Sequence, residues 1–462
     1  MSPIPKKNAG SDLRVLWRQF LPLSLSDVTM ALGDPLVTAT LTHMAQPQMS
    51  LAAVGVAKAV AVFFESPIIM MLHASNALAR ARASRQVLWR FMLLAALSLT
   101  IALLVLTIPF VFDRVSSMVF GISGSIRDQA RLVLTLLVLW PAAIAWRRYF
   151  QGLLIHAGHS AAVGRCGALR VAAIAAALGL GFKIGLTGVA TAGVATAGVA
   201  TAGVAMISGV MVEAFAVTLA AWRLGAARPP ALKSVPGLPK DMKEVWRFYW
   251  PLANAMLVVW GGRILLLGVI ARAIDGPAAI AVWTASWGLI LVTANSTRMV
   301  QQVVIRNRGK VRGGVLFGFA AVVGGACSLG LLGVATTPSG RDFLAAFLGG
   351  NPVLIAGAKP ALLIGAGVPL FVALQNTLQG YLIGDTRTHR IHVAALIGTA
   401  VMLAAALLRV KAGLPGAEAA AGAMLAGLIA ETACLAGGVL WRRRDVSDLP
   451  MIVDKSSALA EQ

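Results

Sequence analysis

The chain is poor in charge, in acid and in cysteine. Only 13% of its 462 residues are charged, against about a quarter in soluble domains. Hydrophobic residues make up 58%, and the mean hydropathy is +0.80. A water-soluble globule is therefore excluded. The three cysteines, Cys166, Cys327 and Cys434, lie far apart, which excludes a disulfide framework and a thiolate metal site. The chain also lacks a Walker-type phosphate loop, zinc-ligand spacing and a nucleophile elbow. Nothing here would hydrolyse ATP. The expectation is a protein that is not an enzyme and has no cofactor or metal. Asp and Glu number 18 against 40 Lys and Arg, a net charge of +22. Such an excess would suit nucleic acid, but the cations punctuate apolar runs instead of forming one patch, so no nucleic-acid partner is expected.

What the chain has is long apolar runs. Each is roughly twenty residues, the length needed to cross a bilayer. Twelve spans are expected, at about 17–43, 50–76, 88–112, 131–154, 161–182, 203–223, 247–272, 278–302, 314–336, 355–382, 390–409 and 418–441. The first follows Lys6, Lys7, Arg14 and Arg18 and contains Asp27 and Asp34. It lacks a small-residue cleavage site and reads as a retained span. With the N-terminus inside, 29 basic residues fall on the inner side and nine on the outer. That asymmetry predicts both termini in the cytoplasm of a multi-pass protein in the cell (plasma or inner) membrane.

The chain repeats itself. Trp17-Arg18 and Pro22-Leu23 return as Trp246-Arg247 and Pro251-Leu252, 229 positions on. Pro141, Gln151, Gly152, Leu154 and Ile155 return as Pro369, Gln379, Gly380, Leu382 and Ile383, a shift of 228. Ala205, Met206, Gly209 and Glu213 return as Ala423, Met424, Gly427 and Glu431, a shift of 218. The lost ten positions match two extra copies of Thr-Ala-Gly-Val-Ala, which occurs at 191–195, 196–200 and 201–205. This insert reads as a loop or helix extension, or as a gate of small residues that permit close helix contact. The proline-rich basic stretch from Arg228 is a linker. The expected fold is all-α: a six-helix lobe over 1–227, a cytoplasmic linker over 228–245, a second six-helix lobe over 246–445 and a tail over 446–462. An even number of spans per half predicts a pseudo-two-fold axis along the membrane normal.

Ionisable groups at membrane depth are expensive and mark function by default. Asp27 and Asp34 are seven residues apart, as are Lys58 and Glu65. Two helical turns put each pair on one stripe. They form either a polar cleft or an internal ion-pair network. Shifting Asp34 by 229 lands on Arg263. Arg263 could hold an anionic solute group in a fork, with Asp34 as its internal partner or a proton carrier. Arg147 and Arg148 face Gln375 and Asn376 in the repeat. They either anchor the inner side or touch the solute. Gln151-Gly152 and its copy serve helix packing and the turn that follows. Glu213 and Glu431 are repeat equivalents, either satisfied buried acids or proton carriers. Asn254 and Asn295 are weaker cleft-lining residues. The histidines His156, His159, His389 and His392 read as interfacial.

The arrangement resembles the multidrug/oligosaccharidyl-lipid/polysaccharide exporter superfamily, which includes the MATE proteins, and within it the progressive ankylosis family. The resemblance rests on Phe63-Phe64-Glu65-Ser66-Pro67, on Tyr249-Trp250-Pro251-Leu252 with Arg263, on Gln379-Gly380 and on Met424 through Glu431. It implies a V-shaped transporter that exposes its cleft alternately to each side. It also implies an anionic small-molecule cargo like pyrophosphate, a nucleotide or citrate. Arg263 and Glu431 carry over as family-like positions, and the family is acidic near Asp34 too. The pentapeptide insert departs from the family. Two other readings stay open: proton- or sodium-coupled efflux of cationic drugs, with Asp27, Asp34 and Glu65 binding cargo, and flipping of lipid-linked oligosaccharides.

Overall fold

The computed structural model describes residues 9–447, apart from 123, 188–193, 237, 309 and 385–387. Nineteen helices and no sheet occur among the described residues. In the N-terminal half these are α1 (Ala9–Ala31), α2 (Gly33–Thr42), α3 (Pro47–Ile69), α4 (Met71–Leu78), α5 (Arg82–Leu106), α6 (Pro109–Val119), α7 (Gly124–Leu136), α8 (Trp140–His156), α9 (Ser160–Thr187) and α10 (Val194–Arg223). The C-terminal half holds α11 (Met242–Ile270), α12 (Pro277–Arg298), α13 (Val300–Asn307), α14 (Gly313–Thr336), α15 (Pro338–Phe347), α16 (Pro352–Gly365), α17 (Val368–Gly384), α18 (Thr388–Lys411) and α19 (Gly416–Ser447). Between α10 and α11 the described residues form turns and irregular chain.

Short helices join end to end into long spans. Eleven helical runs among the described residues are long and apolar enough to cross a membrane, among them Pro47–Leu78, Gly124–His156, Pro277–Asn307 and Pro352–Ile383. The α1–α2 pair, with its two aspartates, is the twelfth of the expected set. The breaks recur in both halves. α3 gives way to α4 at Met70 and α12 to α13 at Met299, a shift of 229. α8 starts at Trp140 and α17 at Val368, a shift of 228. The side helices α6 and α15 start at Pro109 and Pro338, again 229 apart.

Proline explains one break. Pro67 sits inside α3 and cannot donate to the carbonyl of Phe63. The Ser66 hydroxyl donates to that carbonyl instead, at 2.8 Å. The Pro67 carbonyl accepts from the Tyr249 hydroxyl at 2.6 Å. A bilayer offers no water for these groups, so the protein meets them itself.

The Tyr249 contact belongs to an exchange between the halves. The first turns of α11 pack on the N-terminal half, where Tyr249 and Trp246 lie 4.9 and 6.1 Å from Phe91, ring centre to ring centre. The middle turns of α1 pack on the C-terminal half. Trp17 and Phe20 meet Phe319 at 5.1 and 5.5 Å. Asn307 donates to Gln19 at 2.7 Å, and Ser24 donates to the Ser296 carbonyl at 2.9 Å. The repeated tryptophan motif therefore marks two arms, each lying on the other half. At the opposite face the halves touch again. Thr42 donates to the Phe347 carbonyl, Gln48 to Asn351, and Arg272 to the carbonyls of Met118 and Val119.

The pentapeptide copies at 196–205 lie on α10, so the insert lengthens a helix; residues 191–193 lie outside the described residues. Gly203 brings α10 close to Leu136 of α7. Gly152 does the same for α8 against α4. A Cβ there would lie 2.6 Å from the Leu72 carbonyl oxygen and 2.9 Å from the Ser75 Cβ. Gly152→Ala should therefore destabilise the protein by about 1–3 kcal/mol, the usual cost of overpacking. Gly314→Ala, with no neighbour within 4 Å, should leave the thermal midpoint in detergent unchanged.

Candidate functional site

Among the described residues Glu213 is the most enclosed charge, with no exposed surface, and Arg147 beside it is 2% exposed. The Arg147 guanidinium reaches the Glu213 carboxylate at 2.5 Å. Gln151 donates to the other carboxylate oxygen at 2.9 Å, and Arg170 approaches at 3.4 Å. Thus α8, α9 and α10 are pinned by one carboxylate. Trp140 heads α8; its indole N–H donates to Glu65 at 2.7 Å, and Arg170 lies 5.9 Å from its ring centre. Asp34 of α2 forms an ion pair with Lys58 of α3.

The same positions in the C-terminal half carry other chemistry. Arg147, Gln151 and Arg170 shift by 228 to Gln375, Gln379 and Gly398, and Glu213 shifts by 218 to Glu431. Glu431 accepts from the Gln379 amide at 3.5 Å. Gly398 packs directly on it, with a Cβ position 2.9 Å from the Glu431 Cβ. The socket is kept and both arginines are gone. Likewise Asp34 and Lys58 shift by 229 to Arg263 and Trp287. The ion pair becomes a cation over aromatic rings, with Arg263 4.2 Å from the Trp260 ring centre and 5.5 Å from that of Trp287. Arrangements of this kind contribute about 2 kcal/mol when desolvated.

Between the halves runs a line of charges. Asp27 of α1 lies in the field of Arg148 and of Arg298, one from each half. Arg263 lies in the field of Arg298 and of Glu431. Asp27 Oδ2 is buried without a hydrogen-bond partner. Among the described residues, Arg148, Arg263 and Arg298 have no carboxylate within 4 Å. Arg148 makes only a 3.3 Å contact to Gln151. Arg148 and Arg298 act on Asp27, and Arg263 shares the field of Arg298, so three guanidiniums without a carboxylate contact are linked across the two halves, a set whose chemistry suits an anion. No group of His, Cys, Asp and Glu among the described residues could hold a metal ion.

Two cavities lie away from this line. One, about 380 Å³, is lined by Arg82, Arg85, Trp89, Tyr149 and Trp222 beside the linker. The other, about 180 Å³, lies between α11 and α18 and includes Asn254 and His392.

The architecture has clear counterparts. The inward-facing conformation of a multidrug resistance MATE family transporter of the MOP superfamily superposes with a TM-score of 0.67 at 16% identity, over 91% of this chain and 94% of that one. The lipid II flippase MurJ, in an inward closed conformation, gives 0.65 at 14%, over 90% and 86%. A MOP superfamily transporter from Pyrococcus furiosus Vc1 (DSM3638), described by the reverse polarity of its binding pocket, gives 0.60 at 16%, over 94% and 96%. This chain has the MATE-like fold. By sequence, no protein-family model and no curated protein matches it.

Several expectations need correction. Asp34 is not the partner of Arg263, because Lys58 neutralises it within its own half. Lys58 and Arg147 are engaged with carboxylates and are not spare cations. Glu65 accepts from the Trp140 indole within the N-terminal half. Asn254 lines the groove beside α18. Gln151 does more than pack, since its amide holds Glu213. Sequence reasoning missed Arg170 and Arg298 by counting both as inner-side topology signals. Both lie inside expected spans, 161–182 and 278–302, and that position was the available signal. Arg147→Ala should strand Glu213 without its main cation and cost about 3–5 kcal/mol. Loss of the monodisperse peak in detergent gel filtration would show it, and Arg148→Ala should keep that peak.

Proposed function

We propose that the chain is a secondary transporter of small organic or phosphorylated anions, working by alternating access between its two halves. The single observation that carries this reading is the set of three guanidiniums without carboxylate partners, Arg148, Arg263 and Arg298, drawn from both halves. Arg148 and Arg263 are half-buried and Arg298 is exposed. A cation withdrawn from water without a partner is costly, and an arriving anion removes that cost for the first two while Arg298 meets it from the open side. Guanidinium favours carboxylate and phosphate by its planar fork. The MATE-like fold supports the mechanism, and the resemblance to the progressive ankylosis family supports an anionic cargo and its export. The pocket of reversed polarity in the Pyrococcus protein supports the view that this scaffold accepts cargo of different charge. The bilayer is the other partner. The charge bias supports cytoplasmic termini and a plasma or inner membrane location.

One observation favours the second reading. Asp27 Oδ2 has no partner and could take a proton, sodium or a cationic drug. The surplus of cations around it favours the anion.

The test is purified protein in liposomes, offered citrate, pyrophosphate, ATP or a cationic dye, with and without proton or sodium gradients. Arg263→Ala and Arg148→Ala should each lower anion flux at least about tenfold, the worth of one charge-assisted contact, while leaving the protein monodisperse. Dye flux that depends on Asp27, with no anion flux, would establish the drug-efflux reading instead.

A further inference from the structure

The two halves hold the same carboxylate in the same socket and treat it in opposite ways. Glu213 is met by Arg147 and Arg170, with Gln151 behind. Glu431 is met by the amides of Gln375 and Gln379 and by the bare backbone at Gly398. Among the described residues no cation lies within 4 Å of Glu431. Glu431 is half-buried, and a carboxylate held there by amides with no ion pair is the kind that changes protonation state. Glu213, clamped by two guanidiniums, is the kind that does not.

The surroundings narrow the ligand. Gln301 donates to the Gln379 oxygen at 3.0 Å. That bond turns the Gln379 N–H group toward Glu431, so this neighbour offers the carboxylate a donor and not an oxygen ligand. Sodium wants several oxygen ligands, whereas a proton needs one carboxylate. The elements packed on α19 are α11, α12, α16, α17 and α18. On α11, Gly262 beside Arg263 packs on Thr399 of α18, the residue after the Gly398 that lies on Glu431, and the field of Arg263 reaches the carboxylate. On α12, Arg298 serves Asp27. On α18, Arg390 donates to the Gly438 carbonyl, Arg409 lies against Gly422, and His392 lines the groove with Asn254. His389 of α18 and Lys359 of α16 are exposed. On α17, Tyr381 stacks on Phe317. On α19 itself, Glu418 lies in the first turn, more than three turns from Glu431.

We propose that Glu431 is the proton-coupling residue of this transporter, with Arg263 as the group it controls. Ionised, Glu431 offsets the charge of Arg263 from within its field. Protonated, it releases that charge to the cargo anion. Proton and anion therefore load together and cross together. The proposal rests on the anion-transporter reading, and its test separates the two.

The cargo-free readout is infrared difference spectroscopy of the full chain across a pH titration. Wild type should show one protonated-carboxyl band that is lost in Glu431→Gln. Gln375→Arg recreates the Arg147 position of the other half, and it should remove the same band by clamping Glu431 as an ion pair. It also serves if Glu431→Gln does not fold. With citrate as ligand, wild-type affinity should rise as pH falls, by up to about tenfold per pH unit relative to Glu431→Gln, the limit for one linked proton. In liposomes, wild type should move protons with citrate in the same direction, and the number of protons moved per citrate should fall in Glu431→Gln whatever citrate flux remains. An unchanged band in both variants would overturn the proposal. So would a wild-type affinity that parallels Glu431→Gln at every pH, or a sodium-driven flux that Glu431→Gln abolishes. No citrate, pyrophosphate or ATP flux in wild type, with the band still lost in Glu431→Gln, would overturn the anion reading and leave Glu431 as the proton site.

Discussion

The carboxylate of Glu213 is the constraint on which the N-terminal half depends. It sits where neither water nor headgroup reaches it. A charge in that place is tolerable only when the protein surrounds it with donors. Meeting that demand fixes three helices at one point and commits Arg147, Gln151 and Arg170 together. Once they are committed, Arg148 is left over. The excess cation that faces the other half is thus a by-product of how the buried acid is satisfied.

Duplication supplied two copies of this arrangement, and divergence gave them different work. The N-terminal copy keeps its charges paired in contact, Asp34 with Lys58 and Glu213 with Arg147. The C-terminal copy holds Arg263 on aromatic faces and Glu431 among amides, close enough to feel each other and too far apart to bond. Pairs in contact make a rigid body. A separated pair can be altered by a ligand or a proton at modest cost, because no strong contact has to be broken first. The halves share a backbone plan and differ in electrostatic stiffness.

Much of the fold was legible in the chain. Apolar run length gave the spans, and the repeat shifts anticipated where helices break, as at Met70 and Met299. The site was half legible. Position within a span identified Asp27, Glu65, Arg263 and Glu431 as costly groups. Which acid meets which base could not be read, because pairing depends on side-chain reach across helices far apart in sequence. Lys58 took Asp34 away from Arg263 for that reason. Arg170 and Arg298 were hidden by a rule that treats cations near span ends as topology signals, although Arg170 lies within α9 and Arg298 within the membrane-crossing run Pro277–Asn307. The arms also went unread. The Trp17 and Trp246 motifs announced a repeat but not that each packs on the opposite half.

That exchange of arms bears on how the protein is made. Leu16, Trp17 and Phe20 find their partners around Val300 and Phe319, in a segment synthesised some three hundred residues later. Until the ninth span has entered the bilayer, the first arm has nowhere to dock and must wait among lipids or in the care of the insertion machinery. The second arm meets no such delay, since Phe91 and Pro67 are already in place when Tyr249 emerges. Assembly is therefore sequential at one seam and deferred at the other, and an N-terminal half made alone would display an aromatic stripe that its own helices do not cover.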